Sequence, residues 1–193
     1  ALEAKINEAE KLGRLPKVLI PVHMCGQSPD MKRIAALARA HDIKIVEDAS
    51  HAIGASYASV KVGACAHSDI TVFSFHPVKI ITSAEGGMAT TNDKMLATQM
   101  GILRSHGITR DDTLMRGASD GPWYYQQLEL GWNYRMTEMQ AALGLSQLSR
   151  LVSFVQQRNY LADRYDDLLA ALPVVCPARL ADAYSAFHLY IIR

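Results

Sequence analysis

Cysteine is scarce. Cys25, Cys65 and Cys176 stand far apart, with no Cys-x-x-Cys pair and no cluster with histidine. A disulfide framework and a structural zinc site are therefore not expected, and a reducing compartment is the natural reading. No apolar run approaches the roughly 18 residues that a bilayer crossing needs. No basic-then-apolar signal segment opens the chain, and a cytoplasmic protein is expected. A surplus of either charge is lacking too: 20 Lys and Arg against 19 Asp and Glu leave +1. That balance argues against a dedicated binder of polyphosphates or membrane surfaces. There is no internal repeat or low-complexity tract, so disorder, collagen and coiled coil drop out. What remains is a 193-residue chain, 49% hydrophobic and 20% charged. A chain of this size can bury about 70% of its unfolded surface without a metal or disulfide.

Hydrophobic spacing predicts a helix over Leu2 to Leu12, stopped by Gly13, and a buried strand over Lys17 to Val22. Ser28-Pro29-Asp30 reads as a cap with Pro at the first helical position, opening a helix through Ala40. Ile43 to Val46 is the next strand and ends at Glu47-Asp48. Strand, helix and strand with short loops make a βαβ unit, so a parallel sheet covered by helices is expected. Tyr57 to Ala66 reads as a loop with at most a short hairpin. Ile70 to Phe75 is a strand broken by Pro77, and Met88 to Thr91 is a strand entered through Gly86-Gly87. Asn92-Asp93 caps a helix to about Ser105, and Gly107 to Gly121 is a polar loop. Helices follow over Glu138 to Leu148 and Val152 to Leu172, the second ended by Pro173. Phe187 to Ile192 looks strand-like. The chain opens on Ala1 and stops inside that run, so a segment of a longer protein is expected.

Ligands of open parallel sheets sit beyond the carboxyl ends of the strands. Two polar clusters fall there: Glu47-Asp48-Ala49-Ser50-His51, and Ser74-Phe75-His76-Pro77-Val78-Lys79. Asp, His, Ser and Lys converge on one rim. A Lys held by a Pro turn just past a strand end is well placed to attack a carbonyl. A free Lys with a pKa of about 10.4 is only about one part in 2,500 neutral at pH 7, so burial or covalent imine formation must remove its proton. Pyridoxal phosphate supplies that imine, and an Asp beside the pyridine nitrogen keeps the nitrogen protonated. From the residues alone the plainer readings stay open. Asp48 can be a turn or cap residue, His51 a hydrogen-bonded structural residue, Ser74 a packed strand residue and Lys79 a solvated surface charge.

The stretch from Glu47 to Ala55, then Phe73 to Lys79 and Ala84-Glu85-Gly86-Gly87, resembles the DegT/DnrJ/EryC1/StrS family of sugar aminotransferases. So does Gly131-Trp132-Asn133-Tyr134-Arg135-Met136-Thr137-Glu138 with Gln140-Ala141-Ala142. The strings SFHPVKIITSAEGG, LRSHGITRD, GPWYYQQLELGWNYRMTEMQAALGLSQL and SAFHLY resemble the branch that makes the pseudaminic acid precursor. That branch transfers an amino group to C4 of a UDP-linked 4-keto-6-deoxy-N-acetylhexosamine. The resemblance implies an aspartate-aminotransferase-like α/β fold of type I. Residues 1–150 would belong to the large cofactor-binding domain, and 151–193 would bridge into a smaller C-terminal α+β domain.

It further implies that Lys79 forms the internal aldimine with pyridoxal 5'-phosphate and then shuttles a proton. Asp48 would pair with the pyridinium nitrogen, His51 would lie near the cofactor's 3-oxygen, and Ser74 would donate to its phosphate. Asn133 would reach the phosphate of the neighbouring subunit's cofactor, which makes the active unit a homodimer with shared sites. Tyr124 and His188 are candidates for the sugar nucleotide, Glu47 reads as structural, and L-glutamate is the implied amino donor. No metal is expected, and no nucleic acid or membrane partner. The small-residue helix start with which the family grips the phosphate has no counterpart here. Two readings therefore stand side by side: an enzyme, and a truncated non-catalytic relative that keeps the fold and dimer surface.

Overall fold

Helical spacing of Leu2, Ile6 and Ala9 folds α1 (Leu2–Lys11), in a computed structural model that describes residues 1–193. Ile6 is its buried residue. β1 (Val18–Leu19) follows, shorter than the apolar run predicts and not buried. Pro21 has no N–H for a ladder, so pairing lapses and resumes only as a bridge between Val22 and Asp48. Val18, Ile20 and Val22 lie exposed along this edge. A short 3₁₀ turn (Met24–Gly26) leads to α2 (Met31–Ala40). Asp30 caps α2, not Ser28: its carboxylate accepts the Arg33 N–H at 3.1 Å, while the Ser28 hydroxyl donates to the Pro29 carbonyl. Met31, Ala35 and Ala38 share the buried face of α2. They pack with Ile6, Ile43 and Ile45 as the main apolar core.

β2 (Lys44–Asp48) runs parallel to β1, completing the expected βαβ unit. The return to the sheet carries a hairpin in place of a helix, β3 (Ser56–Tyr57) and β4 (Val60–Lys61), and then β5 (Ile70–Ser74). β5 lies parallel to β2, with Glu47 opposite Thr71 and Asp48 opposite Val72. β6 (Gly87–Thr90) is antiparallel to β5, so the four-stranded sheet has the order β1-β2-β5-β6 and is mainly parallel.

The chain divides into two compact units, one of residues 1–92 with 139–193 and one of residues 93–138. The second unit holds α3 (Lys94–Leu103), capped by Asp93, and an antiparallel pair of β7 (Ile108–Thr109) and β8 (Gln126–Gln127). β7 falls inside the polar loop expected over Gly107 to Gly121 and β8 just past it, because a two-residue strand has no periodicity to read. α4 (Glu138–Leu148) is followed by α5 (Leu151–Leu169), which ends before Pro173 at Ala170. In the first unit Val155 and Ala162 of α5 are buried. Arg158 of the same helix donates to the carbonyls of Phe187 at 3.1 Å and His188 at 3.3 Å. β9 (Ala183–Tyr184) joins β3, and Phe187 to Ile192, expected as a strand, is irregular. Phe187 there has φ 44°, outside the range of a strand. No helix is long and apolar enough to cross a membrane.

Candidate active site

β2 and β5 are parallel neighbours, so their carboxyl ends lie on one side of the sheet, and Asp48 closes one strand while Ser74 closes the other. The Asp48 Oδ1 accepts the Ser50 N–H at 3.0 Å, an Asx turn that fixes the carboxyl as the chain leaves the strand. After Ser74 the chain buries Phe75, exposes His76-Pro77-Val78, and then buries Ile80 and Ile81. The Lys79 N–H closes the turn on the His76 carbonyl at 2.9 Å. Lys79 is thus held half-buried between an exposed turn and two apolar anchors. The Ser74 Oγ accepts the His76 N–H at 3.4 Å.

His51 Nδ1 accepts the Cys25 N–H at 3.4 Å, and its ring lies 4.4 Å from that of His188, tilted by 38°. The crossing that brings these segments together requires Gly26. Its φ is +106°, and a Cβ there would sit 2.8 Å from the Phe187 nitrogen, 2.9 Å from that of His188 and 3.0 Å from the His51 carbonyl.

The four groups sense one another electrostatically. Burial pushes the Asp48 carboxyl up, but hydrogen bonding to Ser50, the charge that His51 gains at acid pH and the charge of Lys79 outweigh it and hold the pKa below the ordinary value. His51 is lowered by burial and by Lys79, against the pull of Asp48. His188 is lowered from 6.5 to about 4 by burial, then by His51, Lys79 and Arg158. Both imidazoles are therefore neutral at pH 7 beside an ionised carboxylate. Sequence reasoning missed three supports: His23, whose backbone joins Asp48, Cys25, whose N–H holds His51, and Arg158, which pins the His188 backbone. Gly26, three residues after His23, was the available signal for a sharp turn at a strand end.

The site's stability carries a pH signature. The unfolded chain takes up a proton on His188 near pH 6.5, whereas the folded chain resists uptake until about pH 4. Between these values the unfolded state binds more protons, so stability falls as pH drops through that window. His51 adds to the trend in the same direction. The expected result is a melting temperature that declines from pH 7 to pH 4.5 and declines less steeply in His188→Gln. Equal slopes would show that His188 does not resist protonation in the fold.

Asn133 and Tyr124 belong to the second unit. Asn133 is exposed and bridges Ser105 in antiparallel fashion, and the Tyr124 hydroxyl accepts the Gln126 side-chain amide at 3.2 Å. The groups gathered in the first unit fit the cofactor that the resemblance implies. An amine suits its aldehyde, an anionic carboxylate its ring nitrogen, the neutral His51 imidazole its ring and a strand-end hydroxyl its phosphate. His188 Nδ1 is also buried without a hydrogen-bond partner, an acceptor or donor left open on this side.

Comparison with known proteins identifies the family. The family model for the DegT/DnrJ/EryC1/StrS aminotransferase family matches residues 1–193. A UDP-4-amino-4,6-dideoxy-N-acetyl-beta-L-altrosamine transaminase of Helicobacter pylori is 36% identical over 193 residues, 100% of this chain and 47% of that protein. GDP-perosamine synthase of Caulobacter vibrioides is 38% identical over 179 residues, 92% of this chain and 45% of that protein. The structure of Spr1654 from Streptococcus pneumoniae in its PLP-form superposes with a TM-score of 0.79 at 32% identity, covering 94% of this chain and 49% of that one. The chain spans about half the length of the curated relatives it matches. The expected aspartate-aminotransferase-like α/β fold is the fold found. The chain belongs to the DegT/DnrJ/EryC1/StrS aminotransferase family, whose members depend on pyridoxal phosphate.

Proposed function

We infer that this chain carries the cofactor-binding centre of a pyridoxal-phosphate-dependent nucleotide-sugar aminotransferase. Its reaction moves the amino group of an amino acid, L-glutamate, to C4 of a UDP-linked 4-keto-6-deoxy-N-acetylhexosamine, in pseudaminic acid biosynthesis. The observation that carries the reading is the parallel pairing of β2 and β5, which brings Asp48 at the end of one strand and the Ser74-to-Lys79 segment at the end of the other to the same edge of the sheet. The cofactor, when bound, supplies an electron sink for the pair released at the amino donor's Cα–H bond.

The residues do the rest. Lys79 would hold the cofactor covalently and, once displaced by the amino donor, would take the proton from the donor's Cα and deliver it to the cofactor's C4′ carbon. Its turn keeps the amine near one spot, which is the entropic part of the catalysis. Asp48 stays ionised and holds a proton on the ring nitrogen. His51, whose pKa burial lowers, would lie near the cofactor's 3-oxygen and add no competing positive charge at neutral pH. Ser74 donates its hydroxyl to the phosphate. Asn133 reaches the phosphate in a partner subunit's site, making a cytoplasmic homodimer the working unit. Tyr124 and His188 remain separate candidates for contacts with the sugar nucleotide, and residues 151–193 would lead from the large domain of residues 1–150 into a smaller one.

The choice of a UDP-linked sugar is supported by likeness to the Helicobacter pylori transaminase and opposed by likeness to GDP-perosamine synthase. Incubation of the cofactor-loaded protein with L-glutamate and each 4-keto sugar, followed by product mass, separates them. The expected result is amino-sugar from the UDP-linked substrate with kcat/KM at least about tenfold above that for the GDP-linked one. Preference for the GDP-linked sugar removes the UDP assignment, and no amino-sugar from either removes the aminotransferase.

A further inference from the structure

Below the candidate site lies a buried polar cluster that the reaction outlined above does not use. His23 is fully buried and Glu47 is 5% exposed, with His23 Nε2 2.9 Å from Glu47 Oε2. The two atoms are in close contact, and Nδ1 has no partner. Glu47 Oε1 accepts the hydroxyl of Thr71 at 3.2 Å and also that of Ser68. Thr71 is itself fully buried and faces Glu47 across the β2–β5 register. Burial raises the Glu47 carboxyl, but the contact with His23 and the hydroxyls of Ser68 and Thr71 prevail and keep it below the ordinary value. An anion in the interior adds little net stability, because desolvation offsets most of its attraction. What the cluster does supply is a fixed relation between three chain segments.

Those segments carry the candidate groups. The His23 N–H donates to the Asp48 carbonyl at 2.9 Å, the Asp48 N–H to the Pro21 carbonyl at 3.0 Å, and the Ala49 N–H to the Val72 carbonyl at 2.8 Å. The peptide units of Asp48 are gripped from both neighbouring strands, one residue beyond Glu47. The His23 carbonyl then accepts the Gly26 N–H at 3.1 Å and starts the turn whose Cys25 N–H meets His51. The Gly26 carbonyl accepts the Ala186 N–H at 2.9 Å, two residues before His188. Asp48, His51 and His188 all hang from backbone that leaves this cluster.

We propose that Glu47 and His23 are positioning residues, clamping β2 to the chain after β1 from beneath so that the Asp48 carboxylate and the His51 ring keep their places above. The proposal rests on the aminotransferase reading. Glu47→Gln keeps size and hydrogen-bond acceptance but removes the charge that His23 contacts. In the full-length, cofactor-loaded protein it lowers kcat about tenfold with KM for both substrates held within about twofold. In an Asp48→Asn background it lowers kcat less than about twofold, because a residue that acts through Asp48 has nothing left to position. Without cofactor, carboxyl-carbon NMR titration of Asp48 gives a readout independent of turnover: its midpoint moves up toward the ordinary Asp value in Glu47→Gln. Should that variant fail to fold, Ser68→Ala removes one donor while leaving the charge, and the same cycle is expected with a loss of about threefold. Equal losses in both backgrounds, or a lowered melting temperature with kcat and the Asp48 titration unchanged, overturn the proposal and leave a purely structural pair. If Lys79→Ala and Asp48→Asn themselves keep wild-type rates, the aminotransferase reading fails, and the proposal with it.

Discussion

Lys79→Ala abolishes amino transfer, lowering kcat by at least about 10⁴-fold, the upper range for losing a positioned general base, and the loss is larger still if the covalent link is needed as well. The visible absorbance of the bound cofactor does not develop in this variant. The fold survives the change, because the contacts that hold the turn are the Lys79 backbone N–H on His76 and the buried Ile80 and Ile81, none of which needs the ammonium. Lys79→Arg is as inactive as Lys79→Ala: guanidinium keeps the charge but neither loses a proton nor attacks a carbonyl at neutral pH. Circular dichroism and melting curves separate this outcome from unfolding. An alanine variant that retains both absorbance and rate removes Lys79 from the mechanism.

Asp48→Asn is the complementary case, lowering kcat about 10³-fold while the cofactor's absorbance remains. The amide oxygen still accepts the Ser50 N–H, so the turn after β2 keeps its shape. In the proposed role, what disappears is the negative charge that would stabilise a proton on the ring nitrogen, without which the ring is a poorer electron sink. Losses of about 10² to 10³ are typical when one preorganised electrostatic partner of a transition state is removed. KM for the amino donor is expected to change little, since the proposed role sets Asp48 against the cofactor and not the substrate. The diagnostic measurement is a primary isotope effect with Cα-deuterated glutamate, which rises in Asp48→Asn as proton abstraction becomes limiting. A near-native rate with an unchanged isotope effect contradicts the role given to Asp48.

Much of the site was legible because its chemistry sits at strand ends, where local pattern is strong. The βαβ unit from Val18 to Asp48 follows from a β-branched run, a capped helix and a second apolar run. Pro77 and the following lysine mark the turn after β5. The identity of the chemistry was not legible from those residues alone, since Asp, His, Ser and Lys at strand ends have ordinary structural uses. It came from the joint resemblance of several segments in order.

The features that escaped reading are tertiary. His23 looks like any histidine after an apolar run, and only the fold brings Glu47 to it and the hydroxyls of Ser68 and Thr71 to Glu47. Ser28 and Asp30 are both good caps, and the choice falls to whichever oxygen meets the free N–H groups of the first turn. Phe187 to Ile192 has strand composition, but the backbone there is bent by φ 44° at Phe187 and tied to Arg158 of α5. The same bend sets the His188 ring against His51, so the departure from strand geometry is what brings the second imidazole to the site.

Borohydride reduction of the cofactor-loaded protein, followed by digestion and peptide mass mapping, tests the central assignment most directly. The expected result is a pyridoxyl group on the peptide that contains Lys79, with no modified peptide from Lys79→Ala. A pyridoxyl group on any other lysine, or one that persists in Lys79→Ala, would contradict it.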